Sequence, residues 1–275
     1  MFKLLFSPKR AERHPFEMML IAIFYSSISI ILSLWIFPEQ ASIVMVFFTV
    51  LSCIYVIQGA FKMEESKNKR RVGEEKLLKQ HLKVLVFILF LFIGFVISFS
   101  FWTFILPAEK TAVIFSMQNS AVQNVRAAIT GVSASIVSGH AVSTNGFIPI
   151  LLNNLKVLFV SLVFAFFFGA GAIFILAWNA SVMGYVIGNL AKNTLGIMGM
   201  PIAFAKYFVH GIPEMFAYLT VALAGGIIYI AVWRGDFFNP ERNKRMITDV
   251  IVLILISIFL LIVAALLEVY VSPFI

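Results

Sequence analysis

Long apolar runs with almost no charge recur through the whole of this 275-residue chain. Each run is about 20 residues long, which as a helix rising 1.5 Å per residue matches a hydrocarbon core of about 30 Å. The chain is 61% hydrophobic and 12% charged, with a mean hydropathy of +0.99, well beyond the ~45–50% apolar content of soluble domains. The sequence therefore predicts an all-α fold, a polytopic bundle of transmembrane helices.

We predict about seven spans. They are Phe16 to Phe37, Ala41 to Ala60, Val84 to Leu106, Ile150 to Trp178, Ala180 to Met200, Pro213 to Trp233, and Met246 to about Val271. The fifth is the most polar, and a broken or re-entrant path remains an alternative to a crossing. Its Gly184-x-x-x-Gly188 motif favours close packing against another helix.

The basic residues predict the orientation of the bundle. Sixteen of the 21 Lys and Arg residues fall in the first 15 residues, in the loop 61–83 and in the segment 234–245. Because cytoplasmic loops are enriched in such residues, we expect a cytoplasmic N-terminus and an outward C-terminus. The net charge of +8 is then a topology signal, and nucleic acid is not an expected partner. Loop 61–83 itself is expected to be a solvated helical linker, with contact to anionic lipid or a partner as the alternative.

The segment 108–149 is too polar to span. Apolar residues recur in it at steps of three and four, which predicts one or two amphipathic helices on the membrane surface or on the bundle. These residues are Ile114, Met117, Ala121, Val125, Ala128 and Val132. The predicted topology puts the segment outside.

Polar residues on three different predicted helices fall near one membrane depth on the outer side. They are His210, Glu214, Glu268, Asn153, Asn154 and Lys206. Ionisable groups at membrane depth tend to face a bundle interior and to pair with one another, so we predict a binding cluster or cavity. The alternative is structural: Pro213 and Glu214 would start a helix after a bend at Gly211, and the two asparagines would cap span four.

Signatures of catalysis are missing from the sequence. It contains no His-Glu-x-x-His, no Gly-x-Ser-x-Gly and no phosphate-binding loop. The four histidines are spread over different regions and Cys53 is the single cysteine, so we expect no metal site, no cofactor and no enzymatic activity.

Several spaced motifs of the C-terminal half carry a resemblance. They are Asn153-Asn154, Asn179-Ala-Ser-Val-Met-Gly184, His210-Gly-Ile-Pro-Glu214 and Leu267-Glu268-Val-Tyr-Val-Ser-Pro273. Over roughly Val84 to Pro273 the chain resembles the stage II sporulation protein M family of integral membrane proteins. The resemblance implies membership of a membrane complex, which in spore-forming bacteria includes peptidoglycan-degrading partners that drive engulfment. Relatives also occur in organisms that do not sporulate.

Together these observations predict two parts and one role. Residues 1–83 form an N-terminal two-span module with the basic loop, and residues 84–275 a family-like five-span domain with the outer segment 108–149. We expect a non-enzymatic, multi-pass component, or scaffold, of a cell-envelope complex in the cell membrane. Expected partners are the lipid bilayer, proteins of that complex and further copies of the chain. The alternative function is a transporter or lipid-handling permease with an outward polar cavity.

Overall fold

The computed structural model describes residues 15–68, 74–136, 146–168, 172–194, 196–234 and 240–274, and in these ranges it contains nine α-helices and no strand. The α-helices are α1 (Pro15–Ile36), α2 (Ala41–Asn68), α3 (Glu74–Ile105), α4 (Ala108–Ile114), α5 (Ser116–Ile136), α6 (Phe147–Phe168), α7 (Ala172–Asn193), α8 (Met200–Arg234) and α9 (Pro240–Tyr270). Short 3₁₀ turns lie at Pro38–Gln40, Gly196–Gly199 and Ser272–Phe274. The predicted all-α fold is confirmed.

Among the described residues, six helices are long and apolar enough to cross a membrane. They lie in α1, α3, α6, α7, α8 and α9, and a shorter apolar stretch, Pro38–Ile54, covers the start of predicted span two. Large apolar side chains such as Trp35, Phe159 and Phe259 are exposed on these helices. In a hydrocarbon solvent such side chains face lipid at no cost, because lipid tails are as apolar as they are.

The boundary between the fourth and fifth spans differs from the prediction. One run from Ile150 to Trp178 was expected, but α6 ends at Phe168 and α7 begins at Ala172. Asn179 therefore lies inside α7 and does not end a helix. The alternative of a broken path through 180–200 does not hold for its first half, because α7 continues without interruption to Asn193. Hydropathy alone missed this boundary because the residues on both sides of it are equally apolar.

The motif around Pro213 also differs from the prediction. A short helix and a separate span starting at Pro213 were expected, but α8 is one helix of 35 residues with Pro213 in its interior. Gly211 is helical, so it makes no bend. Pro213 cannot donate a hydrogen bond to the Val209 carbonyl, a loss that transmembrane helices tolerate where neighbouring groups compensate. The helix-start explanation of Glu214 is therefore wrong.

The polar segment forms two helices, α4 and α5, and α5 is not apolar enough to be a candidate span. Ile114 is buried as expected, but Met117 is 45% exposed while its neighbour Gln118 is fully buried. Ala128 and Val132 have side chains outside the described set. The apolar periodicity found the helices but misplaced the buried face at Met117, because a hydrogen-bonding position for Gln118 outweighs the burial of one methionine.

The chain divides into two compact units, of which the first comprises Met1–Gln118 and Ala177–Asn189. Its core contains the buried rings of Phe92, Phe95, Phe99 and Phe115, on α3 and just after α4. Gly184 and Gly188 of α7 pack against the α3 backbone at Phe99 and Ser100, and Gly188 also meets the Thr103 side chain, as a small-xxx-small motif allows. The predicted boundary at residue 83 stays a prediction, since compactness does not distinguish modules.

The second unit comprises Asn119–Leu176 and Leu190–Ile275. In it, α6, α8 and α9 all pack against one another. Gly225 of α8 lies directly against Ala165 and the Leu162 carbonyl of α6, where a larger residue would collide. The adjacent Gly226 has open space around it.

These two neighbouring glycines give a matched test of the α6–α8 contact. Gly225→Ala should lower stability by about 1–3 kcal/mol, because the added methyl meets a backbone carbonyl and Ala165. Gly226→Ala should be neutral or stabilising by up to about 1 kcal/mol, because Ala favours a helix interior. Thermal unfolding of both variants in detergent measures the difference. Equal melting temperatures would contradict the close contact.

Candidate functional site

Helices α6, α8 and α9 of the second unit carry the predicted site residues. Helices α8 and α9 are antiparallel, because Ala224 and Ala231 pack with Met246 and Val250 at one end. At the other end His210 meets Ser272. Helix α6 runs parallel to α8. Its Ala165 packs on Gly225 of α8, and Gly146, the residue that precedes α6, lies beside Val269 of α9.

His210 is 6% exposed, and its Nδ1 lies 2.9 Å from the hydroxyl of Ser272. The Ser272 hydroxyl donates in turn to the Lys206 carbonyl at 3.2 Å. Because serine has one hydrogen to donate, this network assigns the proton of the imidazole to Nδ1, which donates to Ser272. In a nucleophile–base pair the serine hydroxyl donates its hydrogen bond to the imidazole. Here the imidazole donates to the serine, so the bond connects the chain after α9 to α8 and does not activate the serine.

Glu214 and Glu268 form the acidic part of the site. Helices α8 and α9 are antiparallel, so a step forward along α8 matches a step back along α9. Glu214 follows His210 by four residues and Glu268 precedes Ser272 by four, which places Glu214 opposite Glu268. The two carboxylates lie within range of each other's charge. Tyr218 donates a hydrogen bond of 2.7 Å to Oε1 of Glu214. Both carboxylates are only partly buried, and no hydrogen bond or ion pair to Glu268 is found within the described ranges.

Asn153 and Asn154 lie inside α6, which begins at Phe147, so the expectation that they cap a helix is wrong. Asn153 donates to Oδ1 of Asn154 at 3.4 Å. Asn154 is 5% exposed, and its Nδ2 is buried without a hydrogen-bond partner among the described residues. Buried polar atoms are rarely left unpaired, so this donor requires an explanation.

The face of α6 that carries Asn154 is the one that meets α8. The buried residues of α6 recur at steps of three and four, as one stripe of Ile150, Asn154, Leu158, Ser161 and Ala165. Asn154 precedes Ala165 by 11 residues, and Glu214 precedes Gly225, which Ala165 touches, by 11 residues. Eleven residues make three helical turns and return to the same face. Asn154 therefore lies on the same face of α6 as Ala165, the face that packs on α8.

The structure thus gives a partner to five of the six predicted residues. His210 contacts Ser272, Glu214 lies opposite Glu268, and Asn153 donates to Asn154. Lys206 contributes through its backbone carbonyl, whereas no partner of its ammonium group is found in the part of the chain that the structure describes. Two further members were not predicted, Tyr218 and Ser272. Each follows a predicted carboxylate by four residues, a helical spacing that could have indicated them.

A second buried polar group, formed by Ser42, Gln118 and Ser181, lies in the first unit and was not predicted from the sequence. Ser42 donates to Oε1 of Gln118 at 2.7 Å, and Nε2 of Gln118 donates to Ser181 at 3.0 Å. These bonds join α2, α5 and α7. Every polar atom of the Gln118 amide has a partner, which indicates a structural tie rather than a ligand site.

Within the described residues, no group of three or more His, Cys, Asp or Glu side chains could hold a metal ion. The site in the second unit is rich in acceptors, with two carboxylates and an imidazole, and has one buried donor in Asn154. Such an arrangement can bind a donor-rich cationic group or stabilise the three-helix contact.

The apolar helices and internally bonded polar groups define an all-α integral membrane protein. A model of the stage II sporulation protein M family matches residues 83–273, more than half of the chain, and the chain belongs to that family. It is also 34% identical over 129 residues to an uncharacterized protein of Methanocaldococcus jannaschii, covering 46% of this chain and 71% of that protein. No solved structure matches the chain.

The join between His210 and Ser272 can be tested by a double-mutant cycle. Ser272→Ala should lower stability by about 1–3 kcal/mol, because it leaves the buried Nδ1–H of His210 without an acceptor. His210→Phe combined with Ser272→Ala should cost less than the two separate losses, since no polar group is then left unpaired. Thermal unfolding supplies the free energies, with the exposed Thr248→Ala as control. Strict additivity would contradict the bond.

Proposed function

We propose that this protein is a non-enzymatic, multi-pass scaffold of a cell-envelope complex in the cell membrane, with its N-terminus cytoplasmic. Membership of the stage II sporulation protein M family is the observation that carries the proposal. The distribution of basic residues supports the orientation. Partners are other proteins of the complex and further copies of the chain.

The internal bonding of the polar site supports a scaffold over an enzyme. The only His–Ser contact found in the described ranges, His210 to Ser272, has its hydroxyl proton directed to the Lys206 carbonyl. The hydroxyl is therefore not poised for attack, and its bond secures the segment after α9 to α8. A secured end of this kind holds the three-helix unit in one arrangement, as a docking platform requires.

Helix α5 is the partner surface that we propose. It is 21 residues long and carries Arg126 as its single fully charged residue. Its exposed side includes Gln123 and Asn124, which can hydrogen-bond a partner without the desolvation cost of a charge. Gln118 secures the start of α5 through Ser42 and Ser181, so the surface begins from a fixed point.

Two arginines introduced on this surface test the docking role. The double variant Gln123→Arg, Asn124→Arg should release a partner that co-purifies with the wild-type protein under mild detergent, because each new charge must be desolvated at the interface. A loss of binding of tenfold or more is expected, measured by quantitative mass spectrometry of the purified complex. Lys244→Gln, at an exposed position outside α5, should retain the partner. A wild-type protein that purifies only as a homomer would contradict a heteromeric scaffold.

The alternative function, a permease, would require the two carboxylates in a way that a scaffold does not. A transporter needs Glu214 and Glu268 for turnover, whereas a scaffold needs only the folded protein. We expect Glu214→Gln and Glu268→Gln to sustain growth in a complementation assay of a deletion strain, at wild-type membrane levels. Loss of growth with intact, correctly folded protein would favour the permease.

A further inference from the structure

A lysine lies in the middle of one apolar membrane span. The candidate span in α6 runs from Phe147 to Phe166, and Lys156, the tenth of its 20 residues, is its single fully charged side chain. Gly146, just before α6, lies beside Val269, so α6 begins near the level where the apolar span of α9 ends. At 1.5 Å per residue, Lys156 is about 14 Å from the start of α6 and close to the middle of a ~30 Å hydrocarbon core.

Lys156 belongs to the exposed face of α6. The buried stripe of α6 packs on α8, and the exposed residues recur at steps of four, four and three on the opposite face. They are Ile148, Leu152, Lys156 and Phe159. No hydrogen bond or ion pair of Lys156 is found within the described ranges. The structure therefore presents an unpaired cation on an otherwise apolar membrane face.

The depth of Lys156 decides which partner can compensate its charge. A lysine at the centre of a membrane helix is costly when only lipid surrounds it, and lysines that reach the headgroups stand near helix ends. Lys156 is about half a hydrocarbon core from either surface, so its partner has to lie inside the membrane. A carboxylate fits best, because it carries the opposite charge and its oxygens accept the three hydrogens of an ammonium group.

A second copy of this chain does not supply that carboxylate. A two-fold contact of the stripe with itself would bring two Lys156 ammonium groups together, and like charges repel strongly at low dielectric constant. Among the described candidate spans, Glu17 and Asp249 lie within the first four residues of theirs. Glu214 and Glu268 face each other across the α8–α9 contact. The described carboxylates therefore favour a different protein as the partner.

We propose that the exposed stripe of α6, formed by Ile148, Leu152, Lys156 and Phe159, is the docking surface for a transmembrane helix of another protein that carries a carboxylate near its midpoint. The apolar residues of the stripe pack on that helix, and the ammonium group donates to the carboxylate. Helical side chains lean toward the N-terminus, so the carboxylate lies slightly to the N-terminal side of Lys156 along α6. The inference rests on the proposed scaffold role and names the chemistry of one partner.

Model transmembrane peptides test this chemistry with the full-length protein. The probes are polyleucine helices with Glu, Gln or Lys at the central position, and energy transfer from labelled peptide to labelled protein in phosphatidylcholine vesicles measures their association. The wild-type protein should bind the Glu peptide about tenfold more tightly than the Gln or Lys peptide, because a charge-assisted hydrogen bond is stronger than a neutral one. Equal binding of the Glu and Gln peptides overturns the proposal.

Substitutions of Lys156 should change this preference without unfolding the protein. Lys156→Gln should remove the tenfold preference, and Lys156→Glu should transfer it to the Lys peptide. Lys244→Gln, exposed in α9 before its apolar span, should leave it unchanged. Because Lys156 is exposed, the variants should keep the melting temperature of the wild type. A preference for the Glu peptide that survives Lys156→Gln overturns the role of Lys156.

Crosslinking in the native membrane identifies what covers the stripe. A photoreactive phenylalanine analogue at Leu152 should crosslink to another membrane protein, and Lys156→Gln should reduce the yield about tenfold. Lys156→Glu, combined with lysine in place of the carboxylate in the captured span, should restore the yield. Crosslinks only to lipid, to a second copy or within the chain overturn the proposal, as does a captured protein without a carboxylate in a membrane span.

The scaffold role and the stripe of α6 can fail separately. The double arginine variant of α5 tests partner binding outside the stripe and leaves Lys156 in place. Partner release by that variant, with equal binding of the Glu and Gln peptides by the wild type, removes only the docking surface on α6. Purification of the wild type as a homomer, with the peptide preference retained, contradicts the scaffold role and leaves the charge preference of the stripe intact.

Discussion

Hydrogen bonding inside a solvent that offers none is the constraint on which this structure depends. Hydroxyl groups within the helices donate hydrogen bonds to backbone carbonyls of the preceding turn. Ser26 donates to Ala22, Thr49 to Met45 and Ser161 to Val157. Longer polar side chains bond across helices, as Trp102 does to Ser27. In hydrocarbon an unpaired polar group costs several kcal/mol. Among the described residues, the buried side-chain atoms without a partner are few: Oγ of Ser100, Nδ2 of Asn154 and Oδ1 of Asn243.

Close backbone contact allows the polar groups to meet. Gly225 against Ala165 brings α6 and α8 close together, and Gly184 and Gly188 do the same for α7 on α3. Small residues at these points replace the hydrophobic driving force that membrane helices lack among themselves. In the second unit this contact joins α6 to α8 on the face of α6 that also carries Asn154.

The two polar groups of the chain differ in how fully they are satisfied. The Gln118 amide in the first unit has partners on all its atoms, which fits a structural tie. In the second unit Nδ2 of Asn154 has no partner among the described residues, and Glu214 accepts one hydrogen bond from Tyr218. Family membership supplies the membrane context.

The sequence by itself determined the helical class and most helix positions. Apolar runs of membrane length can only be helices when lipid excludes backbone hydrogen bonding to solvent. Tertiary structure decided that Pro213 lies within a continuous helix, that α6 ends at Phe168, and that Ser272 reaches His210. These outcomes depend on which neighbour supplies a missing hydrogen bond or leaves room for a turn. That information resides in contacts between residues far apart in the chain, and local periodicity does not contain it.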